Sequence, residues 1–297
     1  MRTPVDSKRW LLVAVLAALG TAACDLTSIQ NPGDPLGGGS QLQAQPPAAT
    51  VVLVHGMGGF RNIGPLDYFF HIPSLWKRQG ARLYVAGETS FASVEQRAQQ
   101  LKQQLDRIDG PLVLVGHSQG GLDARYLVTK LGYRNRVRAV ITIATPHRGS
   151  PLADMAVGLM PGPIEEVLNV LVGVLGWSLE GVNEITTGSM ANTFNPSVPD
   201  ADGVTYWSYA GYASPLGVER NSGWLHAALV PTWTVMAAEG IQSDGIVPVA
   251  SQRWGQFKGI IPGDHIGEVN QPLGETPGFN ALRFYSQMLQ SMHDAGW

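Results

Sequence analysis

The stretch Leu112-Val113-Leu114-Val115-Gly116-His117-Ser118-Gln119-Gly120-Gly121 runs an apolar strand candidate straight into a Gly-x-Ser-x-Gly turn. A serine on so sharp a strand-to-helix turn occupies a sparsely populated backbone region, so the positions two before and two after it have to be small. Gly116 and Gly120 meet that need, and Gly121 relaxes the crowding further. Beyond the turn, Leu122, Tyr126, Leu127 and Leu131 recur at helical spacing. The serine therefore heads a helix whose free N–H groups and dipole favour a developing anion. A glycine-rich turn that merely contains a serine is the rival reading, and the strand before it and the helix after it argue against that.

On either side of this turn the chain alternates. Val51 to Val54, Arg82 to Ala86, Leu112 to Val115 and Val137 to Ala144 read as strands, with Leu66 to Gln79, Val94 to Ile108 and Gly120 to Leu131 as helices. Such alternation predicts an α/β fold with a mostly parallel sheet covered by helices on both faces. Thr205 to Tyr209 and Thr232 to Ala238 are expected to extend the sheet, and Asn280 to Met292 to form a closing helix. Residues 50–297 suffice for one substantial core. Net charge is only −3, without basic runs or aromatic-basic interleaving, so nucleic acid is not an expected partner.

An activated serine needs donors for the oxyanion, a base, and an acid that orients the base. Val51-Val52-Leu53-Val54 runs into His55-Gly56-Met57-Gly58-Gly59, which resembles the His-Gly loop of α/β-hydrolases. The resemblance implies that the backbone N–H groups of Met57 and Gln119 form the oxyanion hole, while His55 reads as a structural histidine bonding its loop. In that fold the acid and then the base follow the serine along the chain. Of seven histidines, His226, His265 and His293 lie far enough on. His293 belongs to the terminal helix pattern, and His226 would need Asp200 or Asp202. Asp244, in Ser243-Asp244-Gly245-Ile246-Val247-Pro248, and His265, in Gly263-Asp264-His265, both read as loop residues after strands, Asp244 after the candidate strand Thr232 to Ala238.

Gly116 to Gly121, Thr145-Pro146-His147-Arg148-Gly149-Ser150, Asp244-Gly245-Ile246-Val247 and His265-Ile266-Gly267-Glu268-Val269-Asn270-Gln271 occur in that order. From about Thr50 to Gly274 the chain is similar to the secreted bacterial true lipases, the triacylglycerol lipases. The resemblance implies an α/β-hydrolase fold and hydrolysis of carboxylic esters of acyl lipids. It also implies Ser118 as nucleophile, Asp244 as acid and His265 as base. Many members hold a structural calcium ion with a carboxylate two residues after the histidine and a glutamine four residues further on. Here Gln271 is present but Gly267 replaces the carboxylate, so no metal or other cofactor is expected. Glu268 is a reserve candidate, as a ligand or as an acid, with its side chain expected to point elsewhere. The disulfide of many members is excluded, because Cys24 is the single cysteine.

Residues 1–23 combine a basic start (Arg2, Lys8, Arg9), an apolar run from Trp10 to Leu19 and small residues before Cys24, the pattern of an export signal peptide. Thr21-Ala22-Ala23-Cys24 looks like a lipoprotein processing box, with Cys24 as the lipid attachment site; cleavage leaving a free thiol is the alternative. Residues 24–49, rich in Gly, Pro, Gln and Ser, read as a flexible linker. The catalytic domain is then 50–297, exported, and either lipid-anchored to the bacterial cell envelope or secreted.

An inserted helical lid or cap is expected at about 150–200. Leu152, Met155 and Leu159 form one apolar row. Ile164, Val167, Leu168, Leu171, Val172 and Leu175 form a second, with Pro161-Gly162-Pro163 as the break. Such a pair either opens toward a membrane or lipid interface or stays fixed as a cap. Arg148, Asn183 and Glu184 read as structural hydrogen-bonding groups. Expected partners are a lipid or ester substrate and that interface; a folding chaperone is a further candidate, and the chain is expected to be a monomer. A soluble-ester carboxylesterase, a thioesterase or a polyester depolymerase would carry the same motifs, and a non-catalytic binding protein on the same fold is the rival from another class.

Overall fold

The computed structural model describes residues 43–63, 66–90, 92–175, 177–274 and 276–297. The signal peptide, Cys24 and most of the linker lie outside them. Among the described residues no helix is long and apolar enough to cross a membrane.

Six parallel strands form the central sheet: β1 (Thr50–Val54), β2 (Leu83–Val85), β3 (Leu112–His117), β4 (Val137–Ile143), β5 (Thr205–Gly211) and β6 (Gln256–Ile261), in the spatial order β6-β5-β4-β3-β1-β2. β1 is the apolar run expected to lead into the His-Gly loop, and its alternate residues divide between two cores. Val51 and Leu53 pack with α1 (Ile72–Arg78) and α8 (Ala281–Asp294), whereas Val52 and Val54 pack with α2 (Val94–Leu105) and α3 (Gln119–Lys130). A strand buried on both faces reads as a continuous apolar run, and TVVLV is one. Chain order reverses between β1 and β3, because the chain goes from β1 outward to β2 and then returns past β1. The loops leaving β1 and β3 therefore diverge at their carboxyl ends and open the crevice in which α/β proteins place their sites.

Three expectations fail. Thr232 to Ala238 is no strand but lies within a helix, α7 (Val230–Ala238). Its β-branched and aromatic residues suggested a strand, yet Pro231 opens the first turn, Gly240 follows the last, and the buried residues Thr232 and Met236 are one turn apart. β6, an edge strand, carries exposed Gln256 and Lys258, and with Gly259 in its middle it was not visible as an apolar run. The helix expected over Leu66 to Gln79 is shorter as well. Leu66–Asp67 instead pairs antiparallel with Asn62–Ile63.

Residues 44–49 do not behave as tether. Gln45 N–H donates to Gln290 Oε1 (2.8 Å), Ala48 N–H donates to the carbonyl of Trp297 (2.5 Å), and Ala49 is buried in the core. Backbone groups, which every residue type carries, tie this stretch to α8 and the chain end after it.

The insertion between β4 and β5 contains α4 (Pro151–Ala156), α5 (Ile164–Leu168), which continues as a π-helical turn over Asn169–Val174, and α6 (Leu179–Glu184). Leu152, Met155, Val167, Val170 and Leu171 form a separate apolar cluster with Met57 and Leu122, on the carboxyl side of the sheet.

A buried charged cluster ties the loop after β1 to two helices. Arg97 on α2 donates to Asp123 Oδ2 on α3 (2.7 Å), to the Thr89 carbonyl (3.0 Å) and to the His55 carbonyl (2.5 Å). His55 Nδ1 donates to the Gly56 carbonyl, which leaves Nε2 facing Glu88 Oε2 at 3.3 Å. Burial and the Arg97 charge lower the His55 pKa to about 3. Burial raises Glu88 to about 7 and raises Asp123 as well, but Asp123 alone accepts the Arg97 guanidinium, which opposes the rise. One guanidinium balances one carboxylate, and the 2.7 Å bond assigns it to Asp123, so Glu88 and His55 meet as neutral groups.

The Glu88 pKa lies above its unfolded value, so the stability this carboxyl supplies is full below about 4.5 and is lost as pH rises through about 7. Glu88→Gln keeps the group neutral. From about pH 5 to about pH 8 the wild-type unfolding free energy should fall by about 3 kcal/mol relative to that of Glu88→Gln, read by urea denaturation. Parallel pH curves for the two proteins would mean that Glu88 ionises normally.

Candidate active site

β3 delivers Ser118 onto a left-handed backbone, φ 55° and ψ −129°, at the head of α3. Its N–H donates to the Ile143 carbonyl of β4 (2.9 Å), which fixes the turn to the sheet. The turn depends on two missing side chains. A Cβ on Gly116 would lie 2.5 Å from the Gly120 backbone, and one on Gly120 would lie 2.4 Å from the Val54 carbonyl oxygen. The strain at Ser118 persists because these close backbone approaches determine its geometry.

His265 stands in the loop after β6, and Asp244 in the loop after α7. His265 Nε2 lies 3.0 Å from Ser118 Oγ, and Nδ1 lies 2.8 Å from Asp244 Oδ2. A carboxylate oxygen accepts, so Nδ1 carries the proton and Nε2 is the acceptor facing the serine. Asp244 is itself held by N–H groups of Ile246 (2.8 Å) and Val247 (2.7 Å) on Oδ1 and by Gln252 Nε2 (3.2 Å) on Oδ2. The two loops are joined directly, since His265 N–H donates to the Asp244 carbonyl (3.0 Å). All three side chains are buried.

The rival acid and base are placed elsewhere. His226 donates through its backbone N–H to Asp264 (2.6 Å), and Asp200 accepts from Trp254 Nε1 (2.8 Å). His293 sits exposed at the end of α8, with Nδ1 donating to the Pro46 carbonyl. Gln119 follows Ser118 at the head of α3, and the loop that carries Met57 reaches the serine, since a Cβ on Gly56 would lie 2.8 Å from Ser118 Cβ. His55 bonds its own loop. Arg148 and Glu184 also make structural bonds, Arg148 to the carbonyl of Ala250 (3.1 Å) and Glu184 from Val94 N–H (2.9 Å).

Behind the triad lies a second buried chain of polar groups. Tyr68 OH lies 2.7 Å from His117 Nδ1, His117 Nε2 lies 3.2 Å from Glu268 Oε2, and the His117 and His265 rings are 4.8 Å apart. Burial drives Glu268 well above the carboxylate range, with the Asp244 and Asp264 charges adding to the rise. Burial, and then the neighbouring His265, drive His117 well below the usual histidine value. Both are neutral, so Glu268 can donate to His117 Nε2, whose Nδ1–H is then directed at Tyr68. Glu268 therefore faces His117 rather than the triad imidazole. Sequence reading placed His117 only as a variable residue of the turn and Tyr68 inside a helix, and nothing in their spacing joined them to Glu268.

A cavity of about 60 Å³ adjoins His265, with Met57, Phe60, Tyr68, Val269 and Trp177 among its walls. The Trp177 ring stands edge-on to His265, 6.1 Å between centroids.

The chain is similar to known hydrolases over the region that carries these residues. The profile of the palmitoyl protein thioesterase family matches residues 50–156, the part carrying the His-Gly loop and Ser118. Triacylglycerol lipase 2 of Saccharomyces cerevisiae is 29% identical over 71% of this chain, and that match spans 64% of the yeast protein's own length. The triacylglycerol lipase of Vibrio cholerae is 28% identical over 83% of this chain and 88% of its own. Among solved structures, the mature lipase of Bacillus licheniformis superposes with a TM-score of 0.62 at 21% identity, over 86% of this chain and 96% of its own. With a parallel sheet that reverses order at β1, a strained serine at the end of β3 and an imidazole joined to it from the loop after β6, the chain has the α/β-hydrolase fold and is similar to triacylglycerol lipases.

Proposed function

We propose that this chain hydrolyses carboxylic esters of acyl lipids through an acyl-enzyme on Ser118. The observation that carries the reading is the continuous hydrogen-bonded line from Asp244 through His265 to Ser118, 2.8 and 3.0 Å long. His265 Nε2 takes the serine proton as Oγ attacks the ester carbonyl. The carbonyl oxygen, now negative, lies toward the N–H groups of Met57 and Gln119, at the start of α3. His265 then passes the proton to the departing alkoxide and activates the water that releases the acid. Asp244 holds the imidazole in the tautomer this needs and balances the imidazolium.

The inserted segment is the proposed lid. Ser118 is 2% exposed and His265 3%, so a lipid cannot reach them while α5, α6 and the turn between them stay in place. The same segment exposes Leu159, Met160, Ile164, Val172 and Leu179 outward, an apolar surface suited to a lipid interface. The thioesterase reading draws support from the match over residues 50–156, a stretch that contains neither Asp244 nor His265. Relative rates on an ester and the matching thioester separate the two.

Calcium is not part of the proposal, because the residues at the position expected for it do not fit the ion. Gln271 spends its amide nitrogen on the carbonyls of Asp67 (2.8 Å) and Tyr68 (3.2 Å), while its Oε1 accepts from Leu273 N–H (3.2 Å). Gly267 has no side-chain oxygen to offer, and the reserve residue Glu268 faces His117. A hard cation needs several oxygens free to face it, and these are already committed. The sequence pattern at Cys24 supports export and lipid anchoring, which Cys24→Ser would convert to a protein without the lipid.

Ser118→Ala should fold normally and lose at least about a thousandfold in turnover of p-nitrophenyl butyrate; retention of a tenth of the activity would rule out Ser118 as nucleophile. Asp244→Asn should lower kcat about ten-thousandfold with KM little changed, because Glu268 faces His117 and cannot take over the orienting role. A chelator should leave both the melting temperature and the activity of the purified protein unchanged, whereas a drop reversed by added calcium would restore the metal to the account.

A further inference from the structure

The two oxygens of Asp244 are occupied by donors of different kinds. Oδ1 accepts only backbone N–H groups, those of Ile246 and Val247. Oδ2 accepts two side chains, His265 Nδ1 at 2.8 Å and Gln252 Nε2 at 3.2 Å, so one oxygen divides its charge between an imidazole and an amide. Of these four donors, Gln252 is the one that is neither backbone nor a member of the triad.

The direction in which the amide faces follows from its other bonds. Gln252 is fully buried at the end of the helical turn Val249–Gln252. Its Oε1 accepts from Gly211 N–H (2.6 Å) at the end of β5, which turns the nitrogen toward the acid. Nε2 also donates to the carbonyls of Val247 (2.8 Å) and Gly211 (3.2 Å). The acid loop has further anchors that do not involve this amide. Ser150 Oγ donates to the Ile246 carbonyl (2.8 Å), Ser251 Oγ donates to the Gly149 carbonyl (2.6 Å), and His265 N–H donates to the Asp244 carbonyl (3.0 Å). Loss of the Gln252 nitrogen therefore leaves the loop tied and changes chiefly what Oδ2 offers to His265.

We propose that Gln252 is a positioning residue that tempers the charge Asp244 Oδ2 presents to His265, and so sets how tightly the imidazole keeps the proton it takes from Ser118. A donor on a carboxylate favours its charged form and draws charge away from any second donor on the same oxygen. With the amide in place, the imidazolium formed during attack is held less strongly and releases its proton more readily to the leaving alkoxide. The inference rests on ester hydrolysis by the triad and adds a determinant of the pH at which that triad works. The other titratable groups facing the pair are Asp264, beside His265 in its loop, Glu268 in the turn that follows, and His117 from β3. Arg148, on the exposed side of the acid loop, donates to the Ala250 carbonyl. Substitution at Gln252 leaves all of them in the chain.

The test measures the pH profile of kcat/KM for p-nitrophenyl butyrate in the wild type and in Gln252→Met, which keeps the length of the side chain and removes the donor. Without the amide, Oδ2 holds the imidazolium more tightly, so the acid limb should move to higher pH by about half a unit. Gln252→Asn withdraws the nitrogen by one methylene while leaving an amide for the buried carbonyls. It should move the limb in the same direction, and it carries the test should Gln252→Met fail to fold. The low-field proton resonance of His265 Nδ1, read without substrate, should move further downfield in the same variants. A uniform fall in kcat/KM with the acid limb and the resonance unmoved would overturn the proposal and leave Gln252 as a clamp on the loop. Loss of turnover in Ser118→Ala tests the underlying ester reading separately, because the resonance needs no substrate.

Discussion

The 3.0 Å contact between Ser118 Oγ and His265 Nε2 joins atoms 147 residues apart, and most of the fold around it can be understood as what makes that contact possible. One partner needs a strained backbone and the other needs a fixed ring. The sheet supplies the first through the Ile143 carbonyl and the glycine-wide gaps at Gly116 and Gly120. The loops after α7 and β6 supply the second by bonding to each other before they bond to the serine. Asp244 accepts from two backbone N–H groups and from Gln252, so its position does not depend on His265. An imidazole anchored on an already rigid carboxylate loses little freedom when substrate arrives, and preorganisation of this kind is where enzymes gain most of their advantage over water.

A second layer of buried polar groups supports the first and is balanced differently. Arg97 and Asp123 form an ion pair that binds α2 to α3 and, through the His55 carbonyl, to the loop after β1. His55 with Glu88, and His117 with Glu268, are held close but neutral, because burial penalises charge on both members of each pair. Charge is thus kept where a guanidinium can offset it, while the His117 and Glu268 side chains packed behind His265 are neutral. Ser118 and His265 are themselves almost fully buried, which limits water at the site.

The parts of this arrangement that were legible in the sequence are those whose physics is local. Gly116, Ser118 and Gly120 are constrained by one another within a single turn. Asp244 and His265 stood in punctuated loops in the chain order the fold requires. Thr232 to Ala238 was misread because composition outweighed punctuation: β-branched residues suggest a strand, but Pro231 and Gly240 bracket a helix. β6 was hidden by its place at the sheet edge, where alternate residues face solvent and no apolar run is needed. Residues 44–49 looked like linker because their contacts are backbone bonds to α8, which leave no mark on residue type. The meeting of Tyr68, His117 and Glu268, and the seating of Trp177 on His265, are tertiary facts, created by four separate segments converging on the end of the sheet.

The central claim is that Ser118 alone, among the serines of the chain, is made strongly nucleophilic by this convergence. Mass spectrometry of the protein after reaction with a fluorophosphonate tests it most directly. The account predicts one covalent adduct per chain, on the peptide that contains Ser118, and no adduct when His265 is replaced by alanine. Modification of a different residue, or equal labelling of Ser118 without His265, would contradict it.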